Sequence, residues 1–527
     1  MDTSNPPQPS AQPPRLVAVI DIGASSVRMQ IAEINQTTFE IRRIESFSQA
    51  ISIGSDSFTQ RRIRRVTIEN CVAVLNTYRK KLDEYGIVDP DHIRVVATSG
   101  VREAANQLAF VDRVYVATGF EIEPFDEAEL HRVTYMGILP FIESQSKYFA
   151  EESVVLEIGG GTSELILLQQ TDVQFSRTYR LGSLRLRHLL DRFEGPISKT
   201  RRIMETQISQ TINEFQIIAK FPSPKNLIAM GGDVRFAAKE INQKPVGGKL
   251  TEVKLSQLID FTDDVLTQTP DQLVTKYHMS LPDAKSFGPG LLTQVMFAQQ
   301  LKVKKFLVAD VNLRDGLIQE MSHDAGWTSS IQKQIVRSAI QLGRKFKFDE
   351  AHATHVAQLA GLLFDDLYEL HQLSPRYRSI MELAAILHDV GYFVSPKSRH
   401  KHSRYLILNS EIFGVGAREL NLISLVARYY RGANPSLRHD GYPLLNRNDR
   451  VAVAKMASIL RVAIALDVTQ KQRIHKVTCD WDSKFVNLKT QDVVDVGLER
   501  LELEQVGTMF TDIFGTEVTL QAGGDEL

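Results

Sequence analysis

One stretch limits what this 527-residue chain can fold into more than any other: residues 154–168, VVLEIGGGTSELILL. Val154, Val155, Leu156 and Ile158 make an apolar run of strand type around Glu157, and a second such run begins at Leu165. Gly159, Gly160 and Gly161 remove every side chain from the turn between them. Three successive glycines open backbone conformations closed to other residues and let N–H groups converge on an anion. Glu157 before the turn and Glu164 after it would set carboxylates beside that anion, where they could hold a metal or a water. This is the pattern of a phosphoryl-transfer loop, and equally that of a glycine-rich hairpin with no chemistry.

The front of the chain repeats the grammar. An apolar strand over 16–20 leads into the turn DIGASSVRM over 21–29, and a second strand follows over 30–34. Two such loops predict two related halves that face one cleft. Arg61, Arg62, Arg64 and Arg65 then open a helical stretch, as a solvated face or a polyanion patch. The segment 93–97 reads as a strand, followed by Thr98, Ser99, Gly100 and a helix carrying Arg102. That order points helix N–H groups at an anion, and Arg102 either adds a bidentate phosphate contact or pairs with Glu103 on the surface. After a strand over 120–125, Asp126, Glu127 and Glu129 crowd a helix start. They serve as dipole complements there, or as a base if one of them reaches the cleft. Strands over 227–230 and 306–310, the turn Gly231-Gly232-Asp233 and a helix from Leu313 complete an alternation of strands and helices, hence an α/β region in two lobes.

From Ser329 the apolar spacing becomes purely helical, over 331–346, 352–371, 378–388, 402–411, 418–430 and 448–468. The end of the chain mixes a hairpin around Asp482-Ser483, a helix over 506–513 and a strand over 517–520. The predicted division is a disordered Pro/Ser/Gln tail over 1–14, lobe I over 15–137, lobe II over 138–322, an all-α domain over 323–470 and a small α+β cap over 471–527. A net charge of -1 gives no general pull toward nucleic acid or membrane, so a polyanion site has to be local. The two cysteines, Cys71 and Cys479, are far apart, no run of about 18 apolar residues occurs, and the N-terminus lacks a secretory pattern. The expectation is a cytoplasmic protein.

Taken in order, DIGASSVRM, ATSGVREAAN, EIGGGTSEL, LGSLRL and NLRDGLIQEM resemble the motifs of the exopolyphosphatase/guanosine pentaphosphatase (Ppx/GppA) family. The resemblance implies two actin-like (ASKHA, ribonuclease H-like) lobes, an HD-like helical domain and the small cap. It also implies Mg²⁺-dependent hydrolysis of the terminal phosphoanhydride of inorganic polyphosphate, or of the 5′-phosphate of guanosine pentaphosphate, and a homodimer. Carried onto this chain, Asp21, Gly23 and Ser26 would hold phosphate and Mg²⁺ at the first loop, and Arg102 would clamp phosphate. Glu157 would be the catalytic, metal-side carboxylate of the second loop; Gly159, Gly160, Gly161 and Thr162 would bind phosphate, flanked by Gly231 and Gly232. Glu127 would be the base that activates water, with Glu129 as the alternative.

The chain departs from the family pattern at several points. Glu157 replaces the usual Asp, moving the carboxylate by about 1.5 Å, a displacement worth around a hundredfold in rate where a water or metal is positioned. Asp233 stands where a small hydroxyl residue is common and would repel a polyphosphate. In the helical domain the HD pattern places a degenerate metal site at His352, His388 and Asp389; Ile464 replaces the expected acid, leaving Asp467 as a substitute. The basic stretch from Lys397 to Arg404 would line a polyphosphate path or form an exposed loop. These departures keep open a non-catalytic regulator that binds polyphosphate or an alarmone.

Overall fold

Alternate residues of β1 (Arg15–Ile22) face two different cores in the computed structural model, which describes residues 13–190, 197–219, 224–322, 329–491 and 493–522. Ala18, Ile20 and Ile22 pack with Val95, Leu75 and Phe110 on one side of the sheet. Val17 and Val19 pack with Val96, Leu317 and Ile318 on the other. A strand covered on both faces carries a continuous apolar run, which is why RLVAVIDI reads as it does. Up to residue 12 the predicted tail lies outside the described residues.

The first sheet continues through β2 (Ser26–Ile34), β3 (Ile41–Ala50), β4 (Ile93–Ala97) and β5 (Ile122–Pro124), in the order β3-β2-β1-β4-β5. The second holds β6 (Ser153–Ile158), β7 (Ser163–Gln169), β8 (Asp172–Tyr179), β9 (Asn226–Met230), β10 (Thr251–Lys254) and β11 (Lys305–Val308), in the order β8-β7-β6-β9-β11-β10. Except for the extra edge strand β10, the two sheets share one topology. Each has an antiparallel hairpin followed by parallel pairing, β1 with β4 and β6 with β9. The duplication expected from two similar turns is therefore present in the whole lobe.

Four features differ from the sequence expectation. The first turn is shorter, since β1 runs through Ile22 and β2 starts at Ser26. Strands β3, β8 and β10 carry too many polar residues to stand out; β3, IRRIESFSQA, has no fully buried residue. The expected 183–220 helix is two helices, Ser183–Leu190 and Ile197–Ala219, with 191–196 and residue 220 outside the described residues. The Leu313–Met321 helix, expected to close the second lobe, packs on the sheet of the first. Half-buried Glu320 fixes it there by accepting from Arg94 at 2.6 Å and Arg132 at 2.9 Å.

The chain divides into compact units at 1–324 and 325–527. The second is mostly helical, with its core on Glu350–Asp366, Arg376–Leu387, Ala417–Tyr429 and Arg447–Leu466. A three-stranded sheet of β12 (Val477–Trp481), β13 (Phe485–Thr490) and β14 (Glu517–Gln521) completes it, and the Gly497–Phe514 helix lies against Arg447–Leu466. The cap thus shares a unit with the helices; residues 523–527 lie outside the described residues. Among the described residues no helix is long and apolar enough to cross a membrane.

Candidate functional site

The two glycine turns close in the same way. Gly23 N–H donates to the Ser26 carbonyl at 3.0 Å, and Gly159 N–H donates to the Thr162 carbonyl at 2.8 Å. Carbonyls of the first turn are taken from behind by Ile51 and Gly54 N–H, at 3.1 and 2.7 Å. Those of the second are taken by Ser183, Leu184 and Arg185 N–H, at 2.9, 2.9 and 3.1 Å. With their carbonyls anchored, the turns keep N–H groups for an anion. The LGSLRL segment comes so close that any side chain at Gly182 would overlap the backbone of Gly160 and Gly161. Gly160 and Gly161 in turn lie against Ala24 and Ser99 of the first lobe, which brings the two turns together.

Between them lies a cavity of about 380 Å³. Of the residues singled out from the sequence, Asp21, Gly23, Glu157, Gly159, Gly160, Gly161, Thr162, Gly231 and Gly232 all line it. The third turn belongs here because Gly231 adopts a φ of 116° and presses on the Ile158 carbonyl, a backbone that favours glycine. Ser26 is the exception among the loop residues. It is buried with its hydroxyl unpartnered, and Ser25 lines the cavity instead. Arg102 and Glu127 stand outside the lining, on the first-lobe side. Arg102 donates to the Phe125 carbonyl at 3.0 Å, and its guanidinium is 4.0 Å from the exposed Glu127 carboxylate. Their charges both act on Glu164. Glu129 and Asp126 form the reciprocal cap of the Glu127–Ser144 helix, each carboxylate accepting a backbone N–H at 2.9 Å. That cap occupies Glu129 and leaves Glu127, one position into the helix, facing solvent.

Burial sets the electrostatics. Asp21 is paired with Arg314 at 3.3 Å, but its Oδ1 has no hydrogen-bond partner. Burial pushes the Glu157 carboxyl up, Arg235 pulls it down and the charge of Asp21 raises it further. Glu164, opposite Glu157 across the hairpin, is pushed up to about 8 by burial and then by Glu157, although Thr162 donates to it at 2.5 Å. Arg28, Arg235 and Arg314 also line the cavity, and the sequence reading passed over all three. Arg28 was legible as the residue that hairpin register sets opposite Asp21; Arg314 sits inside the NLRDGLIQEM motif itself.

The second unit tells a different story. His352, His388 and Asp389 line a separate cavity of about 450 Å³, with the two imidazole rings 5.5 Å apart. His352 Nδ1 is bonded to Asp467 at 2.8 Å and His388 Nδ1 donates to the Ala385 carbonyl at 2.6 Å. Asp389 accepts from Tyr430 at 2.7 Å and pairs with Arg399 at 3.0 Å. Burial lowers His388 to about 4, so it is a neutral ring. Among the described residues, no group of three or more His, Cys, Asp or Glu side chains is placed to hold a metal ion.

Comparison with known proteins follows this geometry. Residues 19–325 match the model of the Ppx/GppA phosphatase family, and residues 336–505 match Ppx/GppA phosphatase, domain III. A protein of Aeromonas hydrophila named guanosine-5′-triphosphate,3′-diphosphate pyrophosphatase is 22% identical over 491 residues, covering 90% of this chain and 92% of its own. Its namesake in Aeromonas salmonicida is 22% identical over 474 residues, covering 87% and 88%. Among solved structures, an exopolyphosphatase from Cytophaga hutchinsonii superposes with a TM-score of 0.52 at 18% identity, covering 58% of this chain and 98% of its own.

Proposed function

The chain belongs to the Ppx/GppA phosphatase family of phosphoanhydride hydrolases, and from that premise we propose that it releases terminal phosphate from inorganic polyphosphate in the cavity between its two lobes. The observation that carries this reading is the convergence of both glycine turns, with Asp21 and Glu157, on one cavity. In this mechanism the N–H groups of the turns at Gly23 and Gly159–Thr162 bind the terminal phosphate. Arg28 and Arg314 neutralise its charge, which develops further as the bond to the leaving phosphate breaks. Glu127, exposed to solvent and held by Arg102, accepts the proton of the attacking water.

The carboxylates also fit Mg²⁺. Asp21 offers a buried oxygen with no partner, and the crowding of Glu157 and Glu164 is the kind that a divalent cation relieves. Mg²⁺ characteristically takes one or two protein carboxylates and completes its shell with water and substrate phosphate, which suits a pair rather than a cluster. Asp21 and Glu157 would hold it, and it would supply charge neutralisation on the phosphate oxygens.

A second substrate, guanosine pentaphosphate, has an observation of its own: Met279, Phe236 and Phe287 form an apolar part of the cavity wall. A bare polyphosphate has no use for such a surface and a nucleobase does. We read the helical unit as an HD-type domain whose metal site is dismantled, its histidines held by Asp467 and Ala385.

Phosphate release from long-chain polyphosphate and from guanosine pentaphosphate, each with and without Mg²⁺, tests the proposal. Mg²⁺-dependent release is expected, and the ratio of the two rates assigns the substrate. Tight binding of both without release would replace the hydrolase with a binding protein.

A further inference from the structure

The second lobe places a carboxylate of its own where the cleft should welcome an anion. Asp233 is the second residue of the Gly232–Asn242 helix, directly after the Gly231-Gly232 turn, and it lines the same cavity as Asp21 and Glu157. Its carboxylate packs against Gly290, where a side chain of any size would overlap it. Among the described residues it has no hydrogen-bond or ion-pair partner, and neither has Arg28, which lines the cavity from the first lobe. The N-terminal cap of that helix makes no side-chain hydrogen bond, so its first N–H groups remain for an anion. A phosphate chain running from the terminal-phosphate turns toward this helix would meet a negative charge that competes with it for Arg28.

We propose that Asp233 is a specificity-determining residue of the cleft: ionised, it shuts the second lobe to the inner phosphates of a long chain; protonated, it admits them. The inference rests on the phosphohydrolase reading above. Three charged groups bear on Asp233: Asp283 on the Leu281–Gln300 helix, Arg28 on β2 and Arg235 on its own helix. Burial pushes its carboxyl up to about 7, Asp283 adds to the rise, and the two arginines oppose it. Polyanion binding is therefore coupled to proton uptake close to neutral pH, and long chains lose affinity as pH rises through that range.

The test compares the full chain with Asp233→Asn and Asp233→Ser, using tripolyphosphate and long-chain polyphosphate at about pH 6 and about pH 8. Affinity is read by calorimetric titration, and KM and kcat by phosphate release. Relative to both variants, wild type is expected to lose about tenfold in long-chain affinity between the two pH values, with the change in KM rather than kcat and little change for tripolyphosphate. Two chemically different replacements guard against misfolding of either. If wild type and both variants give parallel pH profiles while all release phosphate, the Asp233 proposal is overturned and the hydrolase reading stands. If wild type neither binds nor hydrolyses either polyphosphate at both pH values, both fall.

Discussion

The two hairpins have nearly the same backbone and opposite electrostatics. In the first lobe the register sets Asp21 opposite Arg28, and Arg314 supplies a second cation 3.3 Å away. In the second it sets Glu157 opposite Glu164, and burial raises both. Directly opposed residues of an antiparallel pair share one face, so one exchange, Glu for Arg, sets a second carboxylate where the first hairpin presents a cation. The first lobe thus carries its own countercharge, while the second stays short of positive charge until a proton or a cation supplies it. Duplicating a fold copies the turn; the chemistry lies in the residues that face it.

The strongest way to break this comparison is to remove the proposed base, which belongs to neither hairpin. Glu127 starts the helix that leads from the first sheet toward the second. Glu127→Gln is expected to lower phosphate release by about 10²–10⁴-fold while polyphosphate still binds calorimetrically. Full activity in that variant would strip Glu127 of its role. Next comes the second hairpin itself. Glu157→Asp gives both lobes the same carboxylate, and phosphate release should rise by up to about a hundredfold with a lower Mg²⁺ requirement. An unchanged or lower rate would mean that the longer side chain is already matched to its site.

Arg314→Met isolates the first lobe's advantage. It leaves the buried Asp21 carboxylate without its ion pair, at a cost of about 3 kcal/mol in denaturant unfolding; a negligible change would show that water already solvates Asp21. The smallest effect is on pH. Glu164 keeps its proton up to about 8, whereas an unfolded glutamate releases it in the ordinary carboxylate range. Between those limits the folded chain binds more protons, so stability falls as pH rises. Tm is expected to drop by roughly a few degrees across that window, less so in Glu164→Gln or with Mg²⁺. Identical Tm profiles for wild type and Glu164→Gln would contradict it.

Much of the site was legible because glycine turns and the acids beside them are local features. Gly159 to Thr162, Asp21 and Gly231 lie where their motifs put them. Arg235 was not legible, since nothing about a lone arginine tells which element it will face, whereas Arg28 and Arg314 lay inside motifs whose register and packing bring them toward Asp21. Ser26 went wrong for a related reason: in a tight turn, one position of offset exchanges the residue that meets the cavity, and Ser25 took that place. Asp467 was flagged only as a substitute metal ligand, and the fold gave it to His352 as a hydrogen-bond partner instead. The edge strands β3 and β10 escaped because an edge needs little apolar surface, and pattern reading sees little else.

By itself the sequence determined the two strand–turn–strand loops, the change from α/β to helical grammar near residue 329 and the family. Backbone freedom and apolar period are properties of adjacent residues, so they survive being read along a line. Tertiary structure alone decided that the Leu313–Met321 helix returns to the first sheet and brings Arg314 to Asp21. It alone enclosed Glu164 and Asp233 so that burial raises both carboxyls well above the ordinary carboxylate range. Charge state depends on what surrounds a group in space, and those neighbours come from separate elements, as Arg102 does for Glu164 and Arg28 for Asp233.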